Sequence, residues 1–180
     1  MEKLREEIIY QIKELNIKPF LKDNLLDFSQ KLKEVVGSRS LTNIDIIIDN
    51  MSQDDINILL EYITLILSEY RLFDDFVKYK QETKIDDLKN SCLIINDMQV
   101  FYNRIMDSWN VKKSFNNFFT SLKLNNNMII FTSNNKIDNI FSKIDSKLFN
   151  KDLCITITGL DTDRKLYEEL LTRYKTNYTD

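Results

Sequence analysis

Two stretches decide how this chain folds: Ser-Cys-Leu-Ile-Ile-Asn-Asp-Met-Gln-Val-Phe, Ser91 to Phe101, and Met-Ile-Ile-Phe-Thr-Ser-Asn-Asn, Met128 to Asn135. Each holds an unbroken apolar run, Cys92 to Ile95 and Met128 to Phe131, that stops at polar residues. A run without alternation belongs to a strand covered on both faces, as in a parallel sheet. Between the two, Val111 to Leu124 sets Phe115, Phe118, Phe119 and Leu122 at helical spacing. Strand, helix and strand in that order predict a parallel pair joined by a right-handed crossover.

The same pattern extends in both directions. Ile44 to Ile48 and Leu153 to Ile157 are further buried-strand candidates. A helix is expected from Gln53 to Ser68, packing through Ile56, Leu59, Leu60, Ile63 and Leu67. Another is expected from Asp163 to about Tyr174, packing through Leu166 and Leu170. Tyr70 to Phe73 reads as a brief strand, and charged Asp74 to Asn90 as helical or irregular. The first forty residues read as two helices, carrying Leu4, Ile8, Ile12 and Leu15, then Leu21, Leu25, Phe28, Leu32 and Val35. Pro19 divides them, because it disfavours helix in the residue before it. Gly37 permits the turn that ends the second. The expected fold is α/β, a parallel sheet flanked by helices in three layers. One domain spans 1–180, with residues 1–40 as an N-terminal helical appendage and 41–180 as the α/β core.

Composition narrows the function. With 180 residues the chain can bury a core without disulfides or metals. A net charge of −3, with lysines and carboxylates interspersed, argues against duplex DNA as a partner. No apolar run reaches the roughly 18 residues of a membrane span. Two cysteines in predicted strands and no signal peptide point to a reducing, cytoplasmic setting. The lack of histidine removes the usual general base and the commonest transition-metal ligand, so neither metal nor cofactor is expected. Trp109 and Phe101 are expected to be packing anchors.

The chemistry-bearing words sit at strand ends. Asn96-Asp97 closes one strand, where a nucleotide-hydrolysing domain places its magnesium ligand and catalytic carboxylate. The plain alternative is a strand ending in a turn, where Asn and Asp are common. Asp97-Met-Gln-Val-Phe, the Phe-rich helix and Ile-Ile-Phe-Thr-Ser-Asn together resemble the AAA+ domains of the DnaA/Hda replication-initiator family. In that family an acid-tipped strand, a helix with a Phe-Phe pair and a strand ending in Thr-Ser follow one another. Ile137 to Phe149 resembles the segment with the family's Ser-Arg-Phe box, and Gly159 to Lys165 the start of its final helix. The resemblance covers Ser91 to Tyr174. Helicase loaders of the DnaC and DnaI type share the strand words.

The departures from the family pattern set the functional expectation. The family's first strand runs into a glycine-rich loop ending in Gly-Lys-Thr or Gly-Lys-Ser, which holds the phosphates. Here no glycine lies between Gly37 and Gly159, and Gln53, Asp54 and Asp55 occupy the lysine region. Ser52 reads as a helix N-cap with Asp54 and Asp55 in the first turn, so the helix brings its own negative charge. Each carboxylate would oppose a triphosphate by about 3 kcal/mol at ~5 Å and an effective dielectric of ~20. The absent lysine removes a further ~1.5–3 kcal/mol. Asn96 replaces the first carboxylate of the family's acidic pair. Lys147 stands at the arginine position of the Ser-Arg-Phe-like box, keeping the charge without the bidentate fork. Ser133 and Asn134 would sense a γ-phosphate in a working member. The helical lid and the DNA-binding helix-turn-helix are expected to be missing, and no clear clamp-binding motif is present.

The resemblance therefore implies an inactive ATPase-like protein that acts by docking on an AAA+ initiator or loader through Lys143, Lys147 and Arg164. The alternatives are a residual ATP-binding helicase-loader-like ATPase and an unrelated α/β interaction module.

Overall fold

A computed structural model describes residues 2–37, 45–80, 82–96, 101, 111–137, 154–160, 169–170 and 172–173. Its elements run α1 (Glu2–Lys13), α2 (Pro19–Gly37), β1 (Ile46–Asp49), α3 (Gln53–Glu69), β2 (Asp75–Lys78), a 3-10 turn (Ile85–Asp87), β3 (Ser91–Ile95), α4 (Val111–Leu124), β4 (Met128–Thr132) and β5 (Ile155–Thr158). The five strands form one sheet in the order β2-β3-β4-β1-β5, and every pairing is parallel. This is the α/β layout with helices on both faces, and the two runs quoted at the outset are its inner strands β3 and β4.

Strand periodicity divides the core into two chemically different layers. Ile46, Ile48, Cys92, Ile94, Met128, Ile130, Ile155 and Ile157 face an aliphatic layer built from α1, α2 and α3. Ile47, Leu93, Ile95, Ile129 and Phe131 face the other way, toward Phe118, Phe119 and Leu122 of α4 and toward Phe101. Phe101 is fully buried and meets Phe118 edge-on with ring centroids 4.8 Å apart, and Tyr79 packs edge-on against both. Such offset geometries suit the ring quadrupoles. Phe101 is thus the expected packing anchor, whereas Trp109 lies outside the described residues.

Four expectations need correction. The N-terminal helices are no appendage: Leu21, Leu25, Phe28 and Leu32 are fully buried in the aliphatic layer, and α2 contacts both α3 and β5. Two apolar helical stripes cannot remain in water when an uncovered sheet face adjoins them. Tyr70 to Phe73 is not a strand, and Asp75–Lys78, inside the stretch expected to be helical or irregular, is one. Tyr70 is the C-cap of α3, and Arg71 follows at φ 53, so the chain turns there and pairs only from Asp75 onward. Leu170, expected to face inward, is 54% exposed.

Candidate functional site

In open α/β sheets ligands enter outside the carboxyl ends of the strands, where successive connections leave on opposite faces. Here α3 follows β1 onto the aliphatic face, while α4 follows β3 on the aromatic face. The reversal therefore falls between the carboxyl ends of β1 and β3, with β4 lying between them. The residues at that point are Asp49 to Asp55, Asn96, Thr132 to Asn135, and Thr158 with Gly159.

The turn after β1 is stitched to its neighbours. The Asp49 carboxylate accepts the Ile137 backbone N–H at 3.0 Å and the Thr158 hydroxyl at 2.8 Å. Asn50 adopts φ 56, a left-handed conformation that Asn tolerates, and its side-chain amide donates to the Gly159 carbonyl at 2.9 Å. Gly159 returns its own N–H to the Asp49 carbonyl at 2.9 Å. A Cβ on Gly159 would lie 2.0 Å from the Asn50 carbonyl oxygen, so only glycine permits this approach. Ser133 donates its N–H to the Ile48 carbonyl at 3.0 Å, closing the other side.

Helix α3 starts as its sequence requires. Ser52 has extended backbone geometry, φ −65 and ψ 156, and its hydroxyl accepts the Asp55 N–H at 3.3 Å. One of the helix's orphan donors is thereby satisfied internally. Asp54 and Asp55 stand in the first turn. Lys18, from the α1–α2 connection, reaches the Asp55 carboxylate at 2.9 and 3.2 Å. One of the two expected acids is therefore already paired.

The carboxyl ends of β3 and β4 are joined through Asn96. Its side-chain oxygen accepts the Thr132 hydroxyl at 3.0 Å and the Gln53 amide at 3.3 Å, and that same Gln53 nitrogen donates to Asn57 at 2.9 Å. The Ser133 hydroxyl accepts the Asn135 N–H at 3.2 Å, a local turn contact. Asn134 is half-buried beside it.

The structure thus joins Asn96 to Gln53 and Thr132, the sequence neighbours of Ser52 and Ser133, with Asp54 and Asp55 in the first turn of α3. Asp97, Lys143, Lys147 and Arg164 lie outside the described residues. Sequence reasoning missed Asp49, Gln53 as a donor, Thr158 and Gly159. An acid ending a run of buried isoleucines was the available signal, because a buried carboxylate must find donors.

Among the described residues no three His, Cys, Asp or Glu side chains converge as a metal would require, and no helix is long and apolar enough to cross a membrane. Cys92 and Cys154 form no disulfide, and burial pushes the Cys92 thiol far above its usual pKa, which makes it an inert core group. Chemically, the crevice offers amides, hydroxyls and carboxylates that are already bonded to one another. Comparison with family models, with curated proteins and with solved structures finds no match to this chain.

Proposed function

We propose that the chain is a non-catalytic relative of the DnaA/Hda type of AAA+ domain, acting through protein contacts in the control or assembly of replication initiation. The carrying observation is the turn from Asp49 to Asp55. At the place where a phosphate loop would wrap its anion, this chain has Asp49 bonded to Ile137 and Thr158, and Ser52 capping its own helix. Pairing of Asp55 with Lys18 removes part of the charge opposing a triphosphate. Asp54 remains, and no lysine of the loop replaces the missing phosphate contact. The all-parallel sheet, with β4 lying between β1 and the Asn96-bearing strand, supports the same lineage.

In this reading the scaffold is kept as a docking shape. Lys143, Lys147 and Arg164 would face an AAA+ neighbour, an initiator or a loader, and limit or seed its assembly. The protein then needs no cofactor of its own and would work in the cytoplasm.

Titration with magnesium-ATP to about 1 mM should give no binding heat, weaker than the ~4 kcal/mol that a millimolar site supplies. Addition of the chain to an ATP-loaded initiator or loader should change its sedimentation, and Lys147→Glu should abolish that change. Saturable ATP binding lost in Asp97→Ala would instead establish the loader-like ATPase. An unchanged sedimentation profile with both partner types would remove the docking reading.

A further inference from the structure

A groove of about 600 Å³ lies between α3 and the ends of β2 and β3, and shares Asn96 with the site at the turn after β1. Its floor is apolar: Leu60 and Leu65 from the helix, Phe76 and Ile94 from the sheet. Leu65 is 56% exposed. This floor leads up to a polar end at the strand carboxyl termini, the place where ligands of such sheets enter.

The hydrogen bonds at that end fix what it can recognise. Asn57 and Asn96 each use the side-chain oxygen as acceptor, from Gln53 and, for Asn96, also from Thr132. With both lone pairs of its oxygen engaged, Asn96 can offer a further partner only its NH2 group, while Asn57 keeps its NH2 group and one lone pair. Among the described residues neither NH2 group has one. Lys78 stands two residues from Phe76 on the same strand, hence on the same face, and is register-paired with Ile94. Its side chain lines the same groove as the two amides. Glu61 follows Asn57 by four helical residues, about 6 Å along the axis. Neither Lys78 nor Glu61 makes an ion pair among the described residues.

From this we infer that the groove is a binding site for a small zwitterion with an apolar body, of the α-amino-acid class. The ligand's carboxylate accepts from Lys78, Asn57 and Asn96, its ammonium donates to Glu61, and its side chain covers Leu60, Leu65 and Phe76. A lone acid or a lone amine would leave one charge of the groove facing it unpaired. The inference does not depend on the docking function, because it uses none of the residues assigned to that role.

Isothermal titration of the full chain with leucine provides the test, with leucinamide and N-acetylleucine as ligands lacking one charge each. Leucine should bind saturably below about 10 mM, and each analogue should bind about 10-fold more weakly. Lys78→Met should lower leucine affinity about 10-fold, and Glu61→Gln should weaken leucine while leaving N-acetylleucine unchanged. Both positions are exposed, so a thermal melt within about 2 °C of the parent shows that the fold is retained. Absence of saturable leucine binding overturns the site. So does equal affinity for leucine and its analogues, or a Lys78→Met variant that binds as the parent does.

Discussion

The two ends of β1 carry the same residue type in different company. Asp45 precedes the strand and Asp49 closes it, and both side chains are almost wholly buried. At the amino end, Asp45 takes the Lys123 ammonium at 2.8 Å on both oxygens and the Ile129 N–H at 3.0 Å, while its carbonyl accepts the Ile155 N–H. At the carboxyl end, Asp49 takes an N–H from Ile137 and a hydroxyl from Thr158, with no ion pair among the described residues. One acid is held by charge, the other by neutral dipoles. Yet both ends do the same job, tying β1 to chain that leads into or out of β4 and β5. Here the carboxyl end is tied in the same way as the amino end, so the turn after β1 acts as a joint.

The largest effect should come from the charged end. Asp45→Ala leaves the Lys123 ammonium, 15% exposed at its side chain, and the Ile129 N–H without their partner. Breaking one side of such a buried pair typically costs about 3–5 kcal/mol. Denaturant unfolding should register that loss, and a change under ~1 kcal/mol would mean that the pair is not formed. The pH dependence sharpens the contrast. Burial raises the Asp45 carboxyl above its ordinary 3.8, while the Lys123 charge, its hydrogen bond and the Ile129 bond pull downward without cancelling it. A folded pKa above the unfolded one means that the folded state holds the proton more tightly. The titration contribution is therefore fully present below pH 3.8 and is lost as pH rises through the raised value. Relative to Asp45→Asn, the parent should gain stability on acidification across that window. A parent that loses ground to the variant there would show the ion pair outweighing burial.

At the neutral end the effects should be smaller. Gly159→Ala places a methyl group 2.0 Å from the Asn50 carbonyl oxygen, a backbone atom that cannot swing away. Overpacking of this kind costs about 3 kcal/mol at its upper range. Asp49→Ala leaves the Ile137 N–H and the Thr158 hydroxyl without acceptors, about 2 kcal/mol by the usual penalty for buried unpaired donors. If Asp49→Ala instead matched Asp45→Ala in cost, the distinction between dipole-held and charge-held ends would fail.

Much of this was legible in the chain itself, and the gaps have physical causes. Unbroken runs such as Cys92 to Ile95 announce buried parallel strands because both faces must be apolar, and Val111 to Leu124 announces its helix through period and length. The strand Asp-Phe-Val-Lys, Asp75 to Lys78, gave no comparable signal. It lies at the sheet edge, its two end residues are exposed and its two middle ones only partly buried, so neither a run nor a clean alternation survives in four residues. Aromatic Tyr70 to Phe73 looked more strand-like, but Tyr70 terminates α3 and Arg71 turns left-handed. The N-terminal helices were visible as helices, but their destination was not, because an amphipathic stripe does not say which face it covers. At the crevice, Ser52 and its two acids were readable from capping chemistry. The Asp49, Thr158 and Gly159 connection was not, since it joins residues 109 apart and depends on β5 lying next to β1.

The smallest expected effect concerns Lys18, where the N-terminal helices meet the turn. Its side chain is 66% exposed while that of Asp55 is 15% exposed, so solvent screens the pair from one side. Pairs of this kind contribute about 0.2–1 kcal/mol, and Lys18→Met should fall near the low end. Ser52→Ala, which removes the cap from the same helix turn, should cost about 1 kcal/mol. Measured together, the two separate charge from cap: the Lys18→Met effect should vanish in 1 M salt, where the Debye length is about 3 Å, while the Ser52→Ala effect should persist. If the Lys18→Met loss exceeded the Ser52→Ala loss and ignored salt, the carboxyl end would also be charge-held. The two ends of β1 would then differ only in where the lysine comes from.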